Sequence, residues 1–422
     1  MNFFENYIFR WLSIILVWTA VDGFTPPGRF RESSALVGNR LYFFGSQNIA
    51  QQRDNIYLDV TLSTLNTTNP SWFMSNPIPA EFLLASSCVG GPNKNTIYLL
   101  NHLTSNGDSN TTIVYAFDTV AATWSTPNIS GQIPLSRQQF QAVNDTNGKI
   151  YMFGGFKYPN PSFNVIFNDI YILDTLILAW IQGSNVNAPT PRVDFTATLL
   201  NNGLILYIGG TVGASTIYMS EIPTYNINNN SWNTMIATGD TLNSRSCHTA
   251  VLSPDGHVII YGGVISGSTD QSQVLASLDT TVNPYKWSIK PIIGSNLPPS
   301  LAYHSSDMVG TFMILAFGVM MSNNSFSNLN NVNSKIYLLD TRNYNWITST
   351  STSSNSPHPQ NPTVTQIQTV TSNPLSTGAI VVIPSVLIAV LAIAGFAGYW
   401  FYKKKKQNDI IRIAGSKFDG ST

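Results

Sequence analysis

Charge is scarce in this chain. Only 10% of its 422 residues are Asp, Glu, Lys or Arg, and 21 basic residues balance 21 acidic ones. A chain with no basic face has nothing to offer a nucleic acid, so that partner is excluded. Cysteine is nearly absent: Cys88 and Cys247 are the whole complement. That excludes a small disulfide-stapled scaffold, and the two are expected to be buried free thiols. The Gly-x-Ser-x-Gly elbow, the phosphate loop and His-Glu-x-x-His are all missing, which removes the hydrolase, nucleotide and zinc-protease signatures. Of the five histidines, His102, His248, His257, His304 and His358, no two stand at metal-ligand spacing. No cofactor and no metal is expected.

Long apolar runs are confined to two places, neither suited to a globular fold. Trp11 to Val21 is an apolar core of signal-peptide length, too short to span a bilayer, with Val21-Asp22-Gly23 as the expected cleavage region. Gly378 to Tyr402 has 25 residues without a charge, enough for a tilted transmembrane helix. Lys403, Lys404, Lys405 and Lys406 come directly after it as a stop-transfer cluster, which places that end in the cytosol. The sequence therefore predicts a single-pass type I membrane protein of the cell surface or secretory pathway. Its parts are a signal peptide over 1–23, a folded domain over 24–347, a Ser/Thr/Pro-rich stalk over 348–377, a transmembrane helix over 378–402 and a cytosolic tail over 403–422. Sequons at Asn66, Asn110, Asn128, Asn144, Asn229 and Asn323 agree with a glycosylated exterior. All six are expected in loops.

What the chain does contain is a repeat. Tryptophans recur at Trp72, Trp124, Trp180, Trp232, Trp287 and Trp346. Each closes a unit of similar plan: an alternating apolar run, a second run ending in glycine, a variable loop, and a third run ending in Asp or Asn before a turn into the Trp. The glycine column reads Gly45, Asn101, Gly154, Gly209, Gly262 and Gly318, with full pairs at Gly154-Gly155, Gly209-Gly210 and Gly262-Gly263. The column before the last turn reads Asp59, Asp118, Asp174, Asn226, Asp279 and Asp340. Seventeen residues before the glycine stand Arg137, Arg192 and Arg245, while the sixth unit has Leu301 there. Period-two alternation argues strands. The Asp is placed to accept backbone hydrogen bonds in the turn, and the Trp to fill the gap between neighbouring units. A four-stranded unit cannot bury both faces alone, so units stack radially until the ring closes. The fold class is all-β: a six-bladed propeller. Closure is open between a strand supplied by Phe24 to Phe30 and simple juxtaposition of six complete blades.

The third unit, with Lys149 to Gly155, Asn168 to Asp174 and Trp180, resembles the kelch repeat, and the resemblance runs from about residue 28 to 346. It implies a kelch-type propeller of the galactose oxidase group in a single-pass membrane-anchored form as found in fungi. It also implies an interaction platform whose partner is an extracellular or cell-wall protein or glycan, with the lipid bilayer engaged through one helix. The alternative it carries is a copper-radical oxidase, which needs two His, two Tyr and a Cys linked to one Tyr. His248 and His304 fall where kelch repeats often have a His, and Cys88 and Cys247 are expected in the first strands of blades two and five, so the non-enzymatic reading is preferred. The carboxylates outside the columns, Asp194, Glu221, Asp240, Asp255 and Asp307, read as solvated loop residues, and the recurring Arg as structural. The longest variable loops, Phe156 to Phe167 and Ser322 to Ser334, are the expected contact surfaces.

Overall fold

The computed structural model describes residues 24–350 apart from 48, 83, 85, 101–110, 158–164, 214, 267–271 and 322–330. The chain divides into two compact units, 1–354 and 355–422, and the described residues all belong to the first. The expected signal peptide, the transmembrane segment, Lys403 to Lys406 and all of the stalk after Thr350 lie outside the described residues. So do His102, His358, Asn101, Asn110, Asn323 and most of the two long loops. Among the described residues no helix is long and apolar enough to cross a membrane.

The described unit is a six-bladed β-propeller. Each blade is an antiparallel sheet of four strands taken consecutively from the chain. Blade one comprises Ser33–Val37, Arg40–Phe44, Asn55–Asp59 and Trp72–Met74; blade three comprises Val143–Asn144, Lys149–Phe153, Ile170–Asp174 and Ala179–Gln182. The first strands of successive blades adjoin around the axis, and the strand of blade six, Ser305–Val309, meets that of blade one. Closure therefore uses six complete blades without strand exchange. Blades three, five and six gain a short fifth strand outside: Ser130–Gly131, Thr238–Gly239 and Ile293–Gly294 pair in parallel with the fourth strand. In blade four the pairing of second and third strands stops at Leu206 with Thr224. Pro223 stands next and has no N–H to give the ladder.

The columns perform the roles their chemistry dictates. In all six blades the column Asp or Asn accepts from the backbone N–H two residues on. The pairs are Asp59 with Thr61 (2.9 Å), Asp118 with Val120 (2.8 Å), Asp174 with Leu176 (3.0 Å), Asn226 with Asn228 (2.9 Å), Asp279 with Thr281 (2.9 Å) and Asp340 with Arg342 (3.1 Å). Five of the six Trp side chains are seen to reach back to the preceding blade. The indole N–H of Trp124 donates to the Asn76 carbonyl (2.9 Å), that of Trp232 to Ser184 (2.7 Å) and that of Trp287 to Met219 (2.9 Å). Trp72 packs on Phe317 of blade six, ring centroids 5.4 Å apart, so the same contact closes the ring. The core is accordingly a set of apolar clusters lying between blades.

Three sequence-based placements change. In blade six the seat of the first glycine is Phe317 (φ 63°), and Gly318 occupies the second seat. The first hairpin of blades one and six is one residue shorter, which shifts the count. For the same reason Arg29, sixteen residues before Gly45, is the first blade's member of the Arg column. Asn144 ends a strand instead of lying in a loop, with its side chain exposed.

Candidate functional site

The glycine pair is the seam between blades. The first glycine brings its backbone so near the next blade that a Cβ at Gly262 would lie 2.1 Å from the Leu301 carbonyl oxygen. The second glycine donates its N–H to that same column position: Gly155 to Arg192 (3.0 Å), Gly210 to Arg245 (3.0 Å), Gly263 to Leu301 (2.8 Å) and Gly318 to Arg29 (2.8 Å). Both glycines hold positive φ, which residues with a Cβ adopt only under strain. Below this seam the column arginines are fully buried. Arg137 pairs with Asp169 (2.5 Å), donates to the Gly154 carbonyl (3.2 Å) and lies over the Phe167 ring. Arg245 donates to the Gly262 carbonyl (3.3 Å) and Arg29 pairs with Asp54 (3.1 Å). Burial pushes the pKa values of Arg192 and Arg245 down to about 10. These side chains brace their own blades, as the sequence led us to expect.

Two residues beyond the Arg column the chain turns into each first strand, and there the six blades build a rim around the axis. The rim residues are Arg31, Leu84, Gln139, Asp194, Cys247 and Tyr303, all with φ between 53° and 59°. None is glycine. Hydrogen bonds carry the rim from blade to blade: Gln139 N–H to Leu84 O (3.0 Å), Asp194 to Gln139 (3.0 Å), Cys247 to Asp194 (2.9 Å), Tyr303 to Cys247 (3.0 Å) and Arg31 to Tyr303 (2.9 Å). Non-glycine residues in this region cost of order 1–3 kcal/mol each and persist only where the surroundings over-determine them, commonly at ligand clamps.

The rim opens into a cavity of about 210 Å³ on the axis. A second opening of about 550 Å³ shares Ser34, Ser87, Gln141, Ala142, Ser306 and Asp307 with it, so these residues form a waist. The walls are stitched across blades: Thr196 Oγ1 to His248 Nε2 (3.3 Å), Thr249 Oγ1 to His304 Nε2 (2.8 Å) and Ser34 Oγ–H to Asp307 Oδ2 (2.6 Å). Three carboxyl groups line the cavity. Burial raises Glu32 to about 7, against the opposing charge of Arg29 and a contact with Ser305. Burial raises Asp194 to about 6, against Arg31 and the Cys247 thiol, and raises Asp307 to about 6, against the hydroxyl of Ser34. Burial also lowers His304 to about 3, lowers His248 well below its ordinary value, and pushes Cys247 up to about 12. Both imidazoles and the thiol are therefore neutral. Arg31 lies over the Tyr303 ring at 3.9 Å.

This arrangement corrects several sequence-based assignments. Asp194 and Asp307 belong to the axis, not to solvated loops, while Asp255 stands in a turn beside His257 (3.3 Å). Cys88 lies in the first strand of blade two as expected, but Cys247 is on the rim, just before the first strand of blade five. Both thiols are buried and unpaired with each other. Glu32 and Arg31 were missed. The signal was present, because Pro26 to Ser34 (PPGRFRESS) aligns with Pro298 to Ser306 (PPSLAYHSS) and places Glu32 in the seat of His304. Of the sequons within the described residues, Asn128 and Asn229 are exposed in turns or linkers, and Asn66 accepts from the Thr68 hydroxyl of its own triplet (2.8 Å). Among the described residues no three His, Cys, Asp or Glu side chains converge as a metal-binding group.

Fold, columns and axial rim together define a kelch-type β-propeller. The chain belongs to the Attractin/LZTR1 β-propeller family, which it matches over residues 101–373. It is similar to Adagio-like protein 1 of Oryza sativa subsp. japonica, 26% identical over 318 residues, which is 71% of this chain and 48% of that protein. It is also similar to Kelch domain-containing protein 3 of Rattus norvegicus, 26% identical over 265 residues, covering 59% of this chain and 67% of the relative. Acyl-CoA-binding domain-containing protein 5 of Arabidopsis thaliana is 24% identical over 73% of this chain and 47% of its own length. The chain thus spans about half the length of the plant relatives it matches. Among solved structures, that of YjhT superposes with a TM-score of 0.57 at 12% identity, over 76% of this chain and 97% of the other, a likeness of fold alone.

Proposed function

We propose that this chain is a non-enzymatic binding protein whose propeller engages a protein or glycan through the axial rim. It is displayed on the outer side of a membrane by the apolar segment Gly378 to Tyr402. The observation that carries the binding reading is the rim itself. Six non-glycine side chains from six blades are held at positive φ by a belt of backbone hydrogen bonds, which amounts to a preorganised clamp. The kelch propellers among the relatives support the interaction role, while the membrane placement rests on sequence composition. The test is expression of the full chain with a C-terminal tag in eukaryotic cells, followed by peptide N-glycosidase and surface cross-linking. A downward gel shift together with a cross-linked partner lost on substituting rim residues is the expected result. Protection of the propeller on the cytosolic side would overturn the localisation, and a partner that ignores the rim would overturn the binding site.

One observation favours a second reading. Cys247, His248, Tyr303 and His304 share the cavity wall, the residue types a copper-radical oxidase uses. The fit is poor, because both imidazoles already engage threonines through Nε2 and burial holds the thiol protonated. Intact-protein mass measurement decides it: a Cys–Tyr thioether removes two hydrogens, and an unmodified mass rejects the oxidase.

A further inference from the structure

We propose that the axial cavity receives a single cationic side chain, a guanidinium or primary ammonium on an aliphatic stem, presented by the partner that the propeller binds. This rests on the binding reading above and gives it a chemistry. Three carboxyl groups, Glu32, Asp194 and Asp307, and one guanidinium, that of Arg31, line the cavity. Glu32 is the independent pointer. It is only 9% exposed, it lines the cavity, and it forms no ion pair among the described residues: its oxygens have only Ser305 and nearby backbone beside them, none close enough for a well-formed hydrogen bond. A buried carboxylate left in that condition is costly, and a cation is what relieves it.

The protein supplies only part of that charge. Arg29 bears on Glu32 but is hydrogen-bonded to Asp54 (3.1 Å), and Arg31 bears on Asp194 but lies over Tyr303 with its Nε unpartnered, so three carboxyls share two guanidiniums. Every other group facing the carboxyls is uncharged. Blade two contributes Ser86 and Ser87, blade three Gln139 and Gln141, blade five His248 and the thiol of Cys247, and blade six Tyr303 and His304. Size narrows the occupant. On the rim side of the waist the space is about 210 Å³, less than the roughly 300–1,000 Å³ of sites that engulf a whole small molecule, and it admits one extended side chain. Leu84, Phe140 and Phe195 line the same cavity and suit the aliphatic stem.

Binding is coupled to protons. The three carboxyls sit at about 7, 6 and 6 without the ligand. An incoming cation favours their ionised forms, so affinity rises from pH 5 to pH 7.5.

Calorimetry on the full chain in detergent micelles tests this. The probes are Nα-acetyl-arginine methylamide, its lysine counterpart, the uncharged citrulline counterpart, and spermidine. Saturable binding of the arginine or lysine probe at pH 7.5 is expected, with no binding of citrulline and affinity roughly tenfold or more weaker at pH 5. Glu32→Gln and Asp194→Asn should each abolish it while the thermal midpoint shows a folded chain. Binding of spermidine alone supports the cation site and makes its source a free polyamine. Equal binding of citrulline, no binding of any cation, or affinity unchanged in both folded variants overturns the proposal. Should the rim still capture a cross-linked partner while no cation binds, the binding reading stands and only this inference fails.

Discussion

The seam between blades and the axis of the ring bury ionisable groups equally well and treat them differently. In the seam, Arg137 is given Asp169 and the Gly154 carbonyl, and Arg29 is given Asp54. On the axis, Glu32 is buried and forms no ion pair among the described residues, and Asp194 and Asp307 are raised with it. Pairing alone does not separate the two, because among the described residues Arg192 and Arg245 in the seam form no ion pair and donate only to backbone carbonyls. What differs is the surroundings: the seam arginines are enclosed by packed blades, whereas the axial carboxyls line a cavity, and a costly buried charge facing a cavity marks the place where function is to be sought.

The comparison can be broken at the seam first. Trp346 is fully buried and packs edge-on against Tyr261 of blade five, ring centroids 5.4 Å apart. Trp346→Ala should lower stability by about 3–5 kcal/mol, read as the urea midpoint of unfolding. Next, Arg137→Ala should cost about 3–5 kcal/mol, because it strands Asp169 and the Gly154 carbonyl. Arg192→Met should be close to neutral, because Arg192 has no acid paired with it and its Nη1 lacks a partner. Similar losses in the two variants would show that the column works by packing and not by pairing.

At the axis the sign reverses. Glu32 has a folded pKa near 7, above its ordinary value, so its contribution is fully favourable below that ordinary value and is lost as pH rises through 7. Glu32→Gln should therefore stabilise the propeller at pH 8 by about 1–3 kcal/mol and change little near pH 4. Melting curves across that range measure it, and a variant less stable at pH 8 would show that Glu32 is a scaffold residue. The smallest effect expected is at Asp194. Asp194→Asn should gain about 1–2 kcal/mol at pH 8, a little less than Glu32→Gln, because its shift to about 6, which already includes the charge of Arg31, is slightly smaller.

The seam was legible in the sequence because its positions repeat the same task six times. A turn needs an acceptor, so Asp or Asn recurs. A tight crossing admits no Cβ, so glycine recurs, and a wedge between sheets selects Trp. Where a hairpin loses one residue the count slips, and this is why Phe317 and Arg29 were not seen in their columns. The axis was hidden for the opposite reason. Its rim draws one residue from each blade, and Arg31, Leu84, Gln139, Asp194, Cys247 and Tyr303 share no chemistry that a column would reveal.

By itself the amino-acid sequence determined that this is a ring of four-stranded units, how many there are, and which side chains fasten each unit to the one before. Those facts rest on local periodicity and on contacts that recur at a fixed spacing. Only the tertiary structure decided that Glu32, Asp194 and Asp307 meet. Closing the ring brings the first strands together around one axis, and that places carboxyls from distant parts of the chain in a common cavity out of water.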